Sequence, residues 1–152
     1  MSERWRRGDY VVDTDPGRLD VDAIHGFLTE AYWCRGIPRE TVGRSLAGSL
    51  NFGLYHGGED LAGFGRVVSD RATFAWIGDV FVLPEHRGRG LGVWLVACML
   101  APPELQGLRR WILATDDAHG LYRRFGFTEL ADPGAFLTKH DPDAYRPDPT
   151  GG

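Results

Sequence analysis

The spacing of apolar residues along this chain changes period several times, and each change marks an element. Tyr10 to Asp13 is a short run of strand type that stops at the turn signal Asp15-Pro16-Gly17. From Asp20, an expected N-cap, the residues Ile24, Phe27, Leu28 and Ala31 recur at helical spacing. Tyr32 to Gly36 interrupts that helix. Pro38 opens a second one, with Val42, Leu46 and Leu50 along one face. Strands follow. Phe52–Tyr55 and Leu61–Val68, joined by His56-Gly57-Gly58-Glu59, predict a hairpin. Ser69-Asp70-Arg71 then leads into a strand from Thr73 to Val82, which ends apolar on both faces (Val80, Phe81, Val82, Leu83), as a strand inside a sheet does.

Beyond a glycine-rich turn, Leu91, Leu95, Val96 and Met99 mark a helix that Ala101-Pro102-Pro103 ends. Trp111 to Ala114 predicts a buried strand, Ala118 to Phe125 a short helix, and Phe136 to Lys139 a last strand. The order β-α-α-β-β-β-α-β-α-β predicts an α+β fold, not a doubly wound one: a mixed, mostly antiparallel central sheet flanked by helices. The charged residues 1–8 and the Pro/Asp/Gly-rich residues 141–152 predict loose ends around one domain spanning 9–140.

Charge and cysteine content narrow the function classes. The 152 residues suffice for one sizeable core, and 43% hydrophobic with 25% charged residues is an ordinary globular balance. A net charge of -4 gives no global positive field for nucleic acid or an anionic membrane, so any anion site is local. No apolar run approaches the roughly 18–20 residues of a membrane span. Met-Ser-Glu-Arg-Trp-Arg-Arg lacks the apolar segment of a secretion signal, and cytoplasm is the default expectation. Cys34 and Cys98 belong to no CxxC pair and no cluster with metal-ligand spacing; they are expected as small buried hydrophobes, with no metal.

The chemistry concentrates in Val80-Phe81-Val82-Leu83-Pro84-Glu85-His86-Arg87-Gly88-Arg89-Gly90-Leu91-Gly92. A buried strand ends at a proline, three glycines stand at alternate positions, and a helix begins. Glycines let the backbone approach a ligand closely and take conformations that other residues resist. The helix start offers N–H groups without internal partners and the positive end of the dipole. A diphosphate satisfies both, and Arg87 and Arg89 add local positive charge. A P-loop needs Gly-Lys-Ser/Thr where Gly92-Val93-Trp94 stands. The dinucleotide pattern G-x-G-x-x-G fails in both registers, at Val93 or at Trp94.

The segment resembles the acyl-CoA-binding motif of the GNAT acetyltransferase superfamily, [Q/R]-x-x-G-x-[G/A], with Arg87, Gly90 and Gly92 in its fixed places. Ala114 to Phe127 is similar to the family's second block, N-x-x-A-x-x-[L/F]-Y-x-x-x-G-F, through Ala118, Leu121, Tyr122, Gly126 and Phe127. Thr115 replaces the usual asparagine, Asp117 is placed to cap the short helix, and Gly126 to end it. The resemblance spans about residues 9–140. It implies that acetyl-CoA is the co-substrate and that Arg87, Gly88, Arg89, Gly90, Leu91 and Gly92 hold its diphosphate. Phe81 and Val82 would line the splayed strand that receives the pantetheine arm, with a backbone N–H near Val82 serving the oxyanion. Thr115 and Ala118 would flank that arm, Tyr122 would face the thioester sulfur as acid, and Arg123 and Arg124 are candidates for the 3′-phosphate.

On the acceptor side, Asp79 is the one acid near the end of the central strand, a candidate general base or amine anchor. Ala75 and Trp76 stand where relatives often carry a glutamate. Tyr32, Trp33 and Arg35 occupy the loop that in the family walls the acceptor pocket; an aromatic wall suits an amine. His25 and His119 are candidate relays. The resemblance thus implies direct transfer of acetyl from the thioester to a primary amine, in a ternary complex and with no covalent enzyme intermediate. A small-molecule acceptor is favoured; a protein or peptide acceptor, or a silent acyl-CoA sensor, is the alternative. A homodimer is allowed and not required.

Overall fold

The computed structural model describes residues 2–146. Six strands form one sheet in the order of the sequence: β1 (Arg4–Arg7), β2 (Tyr10–Asp13), β3 (Leu50–His56), β4 (Asp60–Ser69), β5 (Phe74–Val82) and β6 (Arg110–Ile112). All neighbours are antiparallel except β5 and β6, which are parallel because a helix intervenes. Helices α1 (Val21–Leu28) and α2 (Arg39–Ala47) cover one face; α3 (Leu91–Leu100) lies across β3, β4 and β5 on the other, with the short α4 (His119–Arg123) near the β6 edge. This is the α+β arrangement expected from the element order.

Each helix starts and stops for a local reason. The Asp20 carboxylate accepts the Ala23 N–H at 3.0 Å and so caps α1. Pro38 is the residue before α2, its missing N–H costing nothing there. Pro102 and Pro103 follow α3 and cannot extend it. Two cores result, one on each side of the sheet. Val12, Phe52, Leu54 and Ile77 meet Leu95, Val96 and Met99 of α3. Tyr55, Phe64 and Phe81 meet Ile24, Leu28, Val42 and Leu46 of α1 and α2. Cys98 belongs to the first core and Cys34 to the second. Burial pushes both thiols up to about 12, so neither is a thiolate nucleophile near neutral pH.

The ends depart from the expectation. Arg4–Arg7 are not loose chain but an edge strand: Arg4 pairs its guanidinium with the buried Asp13 carboxylate at 3.0 Å, and Trp5 stacks on Phe52 at 6.1 Å. A charge-rich strand is stable here because alternate residues face solvent while Trp5 turns inward. At the other end the predicted strand Phe136–Lys139 does not form. β6 is only three residues long and offers little edge to pair with; Leu137 is 97% exposed and Phe136 lies under the Arg110 guanidinium instead. Tyr145 packs against the α1–α2 core beside Gly36, so the tail is docked at least that far; residues 147–152 lie outside the described residues.

Candidate active site

The site grows out of what happens to β5 along its length. Its first residues pair with β6, Phe74 with Arg110 through Trp76 with Ile112, and there the pairing stops. β5 continues for six more residues to Val82, which leaves about 20 Å of strand edge that β6 does not pair. On its other edge, Phe64 pairs with Phe81 and Arg66 with Gly78, so Gly65 stands opposite both Asp79 and Val80. This is a β-bulge, and it places Asp79 at φ +56°, a left-handed conformation that costs a non-glycine residue about 1–2 kcal/mol. Strain of this kind persists only where neighbours hold it.

Those neighbours are specific. Arg66 Nε donates to Asp79 Oδ2 at 2.7 Å and Trp33 Nε1 donates to Asp79 Oδ1 at 2.9 Å. Arg66 is itself fixed by Ser49 Oγ at 3.1 Å. Asp79 is therefore a paired carboxylate, one-tenth exposed, rather than a lone base. Sequence reasoning missed Arg66, because the bulge that brings residues 66 and 79 together is invisible to strand periodicity. It also missed Phe27, which stacks on Phe81 at 4.0 Å between centroids and has the tilted Trp33 ring 6.3 Å away. Tyr32 and Trp33 stand together, both partly exposed, with rings edge to face at 5.1 Å. The Tyr32 hydroxyl accepts the Asp116 N–H at 3.1 Å and donates to Asp117 Oδ1 at 3.4 Å. The α1–α2 loop thus bridges from β5 to the segment beyond β6.

At the far end of β5, Pro84–His86 makes one 3₁₀ turn and the chain passes through Gly88 at φ +81° and Gly90 at φ +74° into α3. Gly90 is the N-cap and offers no side chain, so the first N–H groups of α3 are uncapped. No atom lies within 4 Å of where a Cβ would stand at Gly88 or Gly92. The helix start is consequently open to an anion. Arg87 Nε is used internally, donating to the Val82 carbonyl at 2.8 Å and tying the turn to the strand end. Arg7 of β1 reaches the same turn, its Nη1 3.4 Å from the Gly90 carbonyl. That contact joins residues 83 positions apart, and nothing local in the sequence signals it. The Tyr10 hydroxyl lies 2.9 Å from His86 Nδ1 and supports the turn from beneath.

Tyr122, on α4, is nearly buried, and its phenol makes no hydrogen bond among the described residues. Burial, with smaller contributions from Asp117 and Tyr32, pushes its pKa up to about 12. Asp117 does not cap α4 as expected. No side chain among the described residues caps α4, whose N-cap is Ala118; Thr115 Oγ1 instead accepts the Ala118 N–H at 3.2 Å and the Asp117 N–H at 3.4 Å in the turn just before it. Of the remaining candidates, His25 is committed to the Ile37 carbonyl at 3.0 Å and Arg123 pairs with Glu129; His119, Arg89 and Arg124 are exposed. No group of three His, Cys, Asp or Glu side chains is placed to hold a metal among the described residues.

The family model of the acetyltransferase (GNAT) domain matches residues 48–129, more than half of the chain. The chain belongs to the GNAT family. A candidate acetyltransferase of that family from Xanthomonas campestris pv. campestris shares 46% identity, with a TM-score of 0.87 over 90% of this chain and 96% of that one. The curated protein FG08082 of Gibberella zeae, also a candidate acetyltransferase, is 34% identical over 79% of each chain. At 11% identity and a TM-score of 0.62, a predicted acetyltransferase of Clostridium acetobutylicum solved with acetyl-CoA shares the fold, over 92% of this chain and 96% of that one. This GNAT protein is accordingly an acetyltransferase, and no helix among its described residues is long and apolar enough to cross a membrane.

Proposed function

We propose that this acetyltransferase moves an acetyl group directly from the thioester of acetyl-CoA to the primary amine of a small molecule held between β5 and the α1–α2 loop. What supports the reading is that one strand carries both ends of such a site. Past its last residue β5 leads into the uncapped, glycine-lined start of α3, and on the stretch that β6 leaves unpaired it carries Asp79, bound by Trp33 of the Tyr32–Trp33 wall.

Each part has a physical task. The amides of Leu91 and Gly92 donate to the diphosphate, with Arg7 and Arg89 adding charge beside it. The arm lies along the edge of β5 at Phe81 and Val82, where N–H groups left by β6 serve the thioester oxygen as negative charge develops on it. Thr115 and Ala118 bound the arm on the opposite side. The amine, its first proton given up to water, attacks the acyl carbon with the freed lone pair; the C–N bond forms, and the C–S bond breaks with its electron pair leaving on sulfur.

Tyr122 donates a hydrogen bond to that sulfur. A phenol at about 12 is a weaker acid than an ordinary thiol at about 8.5, so outright transfer from tyrosine runs uphill. The proton that finishes on sulfur therefore originates on the attacking amine, whose ammonium becomes acidic once bonded to the acyl carbon; Tyr122 relays it. Asp79 anchors the incoming amine through its remaining lone pairs and does not need to be a free base.

The test is release of free thiol from acetyl-CoA in the presence of a panel of amines, with Tyr122→Phe as control. Thiol release that depends on both amine and Tyr122 supports transfer. Acetyl-CoA binding with no thiol release above the control identifies a sensor and overturns the proposal.

A further inference from the structure

Three residues of the acceptor face have chemistry the transfer step does not use: Arg66, Trp76 and Gly78. Arg66 on β4 is the cross-strand partner of Gly78 on β5, and Trp76 precedes Gly78 by two positions on the same face. Gly78 has no side chain. A Cβ there would lie 3.0 Å from Trp76 Nε1 and 3.6 Å from Arg66 Nη2. Two nitrogen donors thus flank one spot above the backbone, and neither has a hydrogen-bond acceptor among the described residues; Arg66 uses only Nε and Nη1. An arginine side chain four-fifths buried with an idle Nη2 beside an idle indole N–H is a cradle for an oxygen acceptor.

Asp79 follows Gly78 immediately, and its carboxylate lies on this same face against Trp33. The face therefore presents a positive donor pair and a negative acceptor one residue apart, about 3.3 Å along the strand. We infer that the acceptor is a free amino acid, its amine at Asp79 and its carboxylate in the cradle formed by Arg66 Nη2 and Trp76 Nε1 over Gly78. Its ammonium and carboxylate oppose the Asp79–Arg66 pair charge for charge, at a separation that matches the two groups. The side chain of the amino acid then faces the exposed rings of Tyr32 and Trp33.

This inference rests on the acetyl-transfer reading and is tested so that the two fail separately. Free-thiol kinetics would be run with acetyl-CoA and the twenty common L-amino acids. Each is matched with its α-carboxamide and, where it exists, the decarboxylated amine; calorimetry with acetyl-CoA alone runs in parallel. The expected result is a kcat/KM for the preferred free amino acid about tenfold to a hundredfold above its amide and its decarboxylated amine. Trp76→Phe removes one donor and keeps a packed ring. It should lower kcat/KM for the free acid about tenfold and for the decarboxylated amine, which has no oxygen to accept the indole N–H, by less than about twofold. Gly78→Ala, which fills the cradle, should erase the preference for the acid. Binding of acetyl-CoA with transfer that ignores the carboxylate, or with no transfer to any amino acid, overturns the inference and leaves the coenzyme site standing. Absence of acetyl-CoA binding overturns both.

Discussion

Gly92→Asp sets helix formation against diphosphate binding and predicts effects of opposite sign. Gly92 is the second residue of α3, its φ is not left-handed, and no atom lies within 4 Å of a Cβ there. A carboxylate in the first turn of a helix is worth about 0.3–1 kcal/mol, so a gain of about 0.5 kcal/mol is reasonable. For a chain of this size the free variant should melt about 1–2 °C above the parent. In the proposed complex, the same carboxylate would stand where the diphosphate approaches the amides, and like charges repel. Losing one charge-assisted hydrogen bond costs about 1.5–3 kcal/mol, a tenfold to hundredfold weaker Kd. Acetyl-CoA at about a hundred times the parent Kd stabilises the parent by about 2.7 kcal/mol, but a tenfold weaker variant by only about 1.4 kcal/mol. The melting curves, followed by differential scanning fluorimetry with and without acetyl-CoA, should therefore cross. Gly90→Ala is the control: at φ +74° it costs stability with or without ligand. A Gly92→Asp protein that melts above the parent under both conditions refutes the proposed placement of the diphosphate at this turn.

Tyr122→Phe should reduce kcat about tenfold to a hundredfold while the Kd for acetyl-CoA, read by calorimetry, moves by less than about twofold. Because burial holds the Tyr122 phenol at about 12, the parent rate should show no alkaline limb from this residue below that pH, and tyrosinate absorbance at pH about 10 should be equal in the parent and Tyr122→Phe. Asp13 is fully buried; burial alone raises its pKa, but the Asp15 N–H, Arg18 and Arg4 outweigh it and hold the carboxyl below its usual value. Its contribution is therefore complete above pH about 3.8 and fades as pH falls through the lowered folded pKa. Asp13→Asn should cost about 2 kcal/mol in urea melts at pH 7, where the partly exposed arginines soften the loss, and distinctly less at pH 3. Arg7→Ala should weaken acetyl-CoA binding about threefold to tenfold at low salt, with the difference shrinking as ionic strength rises.

The strands and helices from Tyr10 to Phe125 were legible because their apolar residues repeat at the period of the element, and periodicity is a local property. The glycine turn was legible for the same reason: its three glycines stand at alternate positions within five residues of chain. Three features were not, and each joins residues distant in sequence. The bulge at Asp79 exists because Gly65 on the neighbouring strand accepts two residues opposite one, so only strand pairing brings Arg66 onto the carboxylate. Arg7 meets Gly90 only because a strand of polar residues finds an edge to pair with, a gain that composition cannot register. The predicted strand Phe136–Lys139 has the right residues and no partner, since β6 ends after three residues. Local pattern chose the elements and the glycine turn; cross-strand register, a pairwise quantity with no signature in either strand alone, chose the residues that stand beside Asp79.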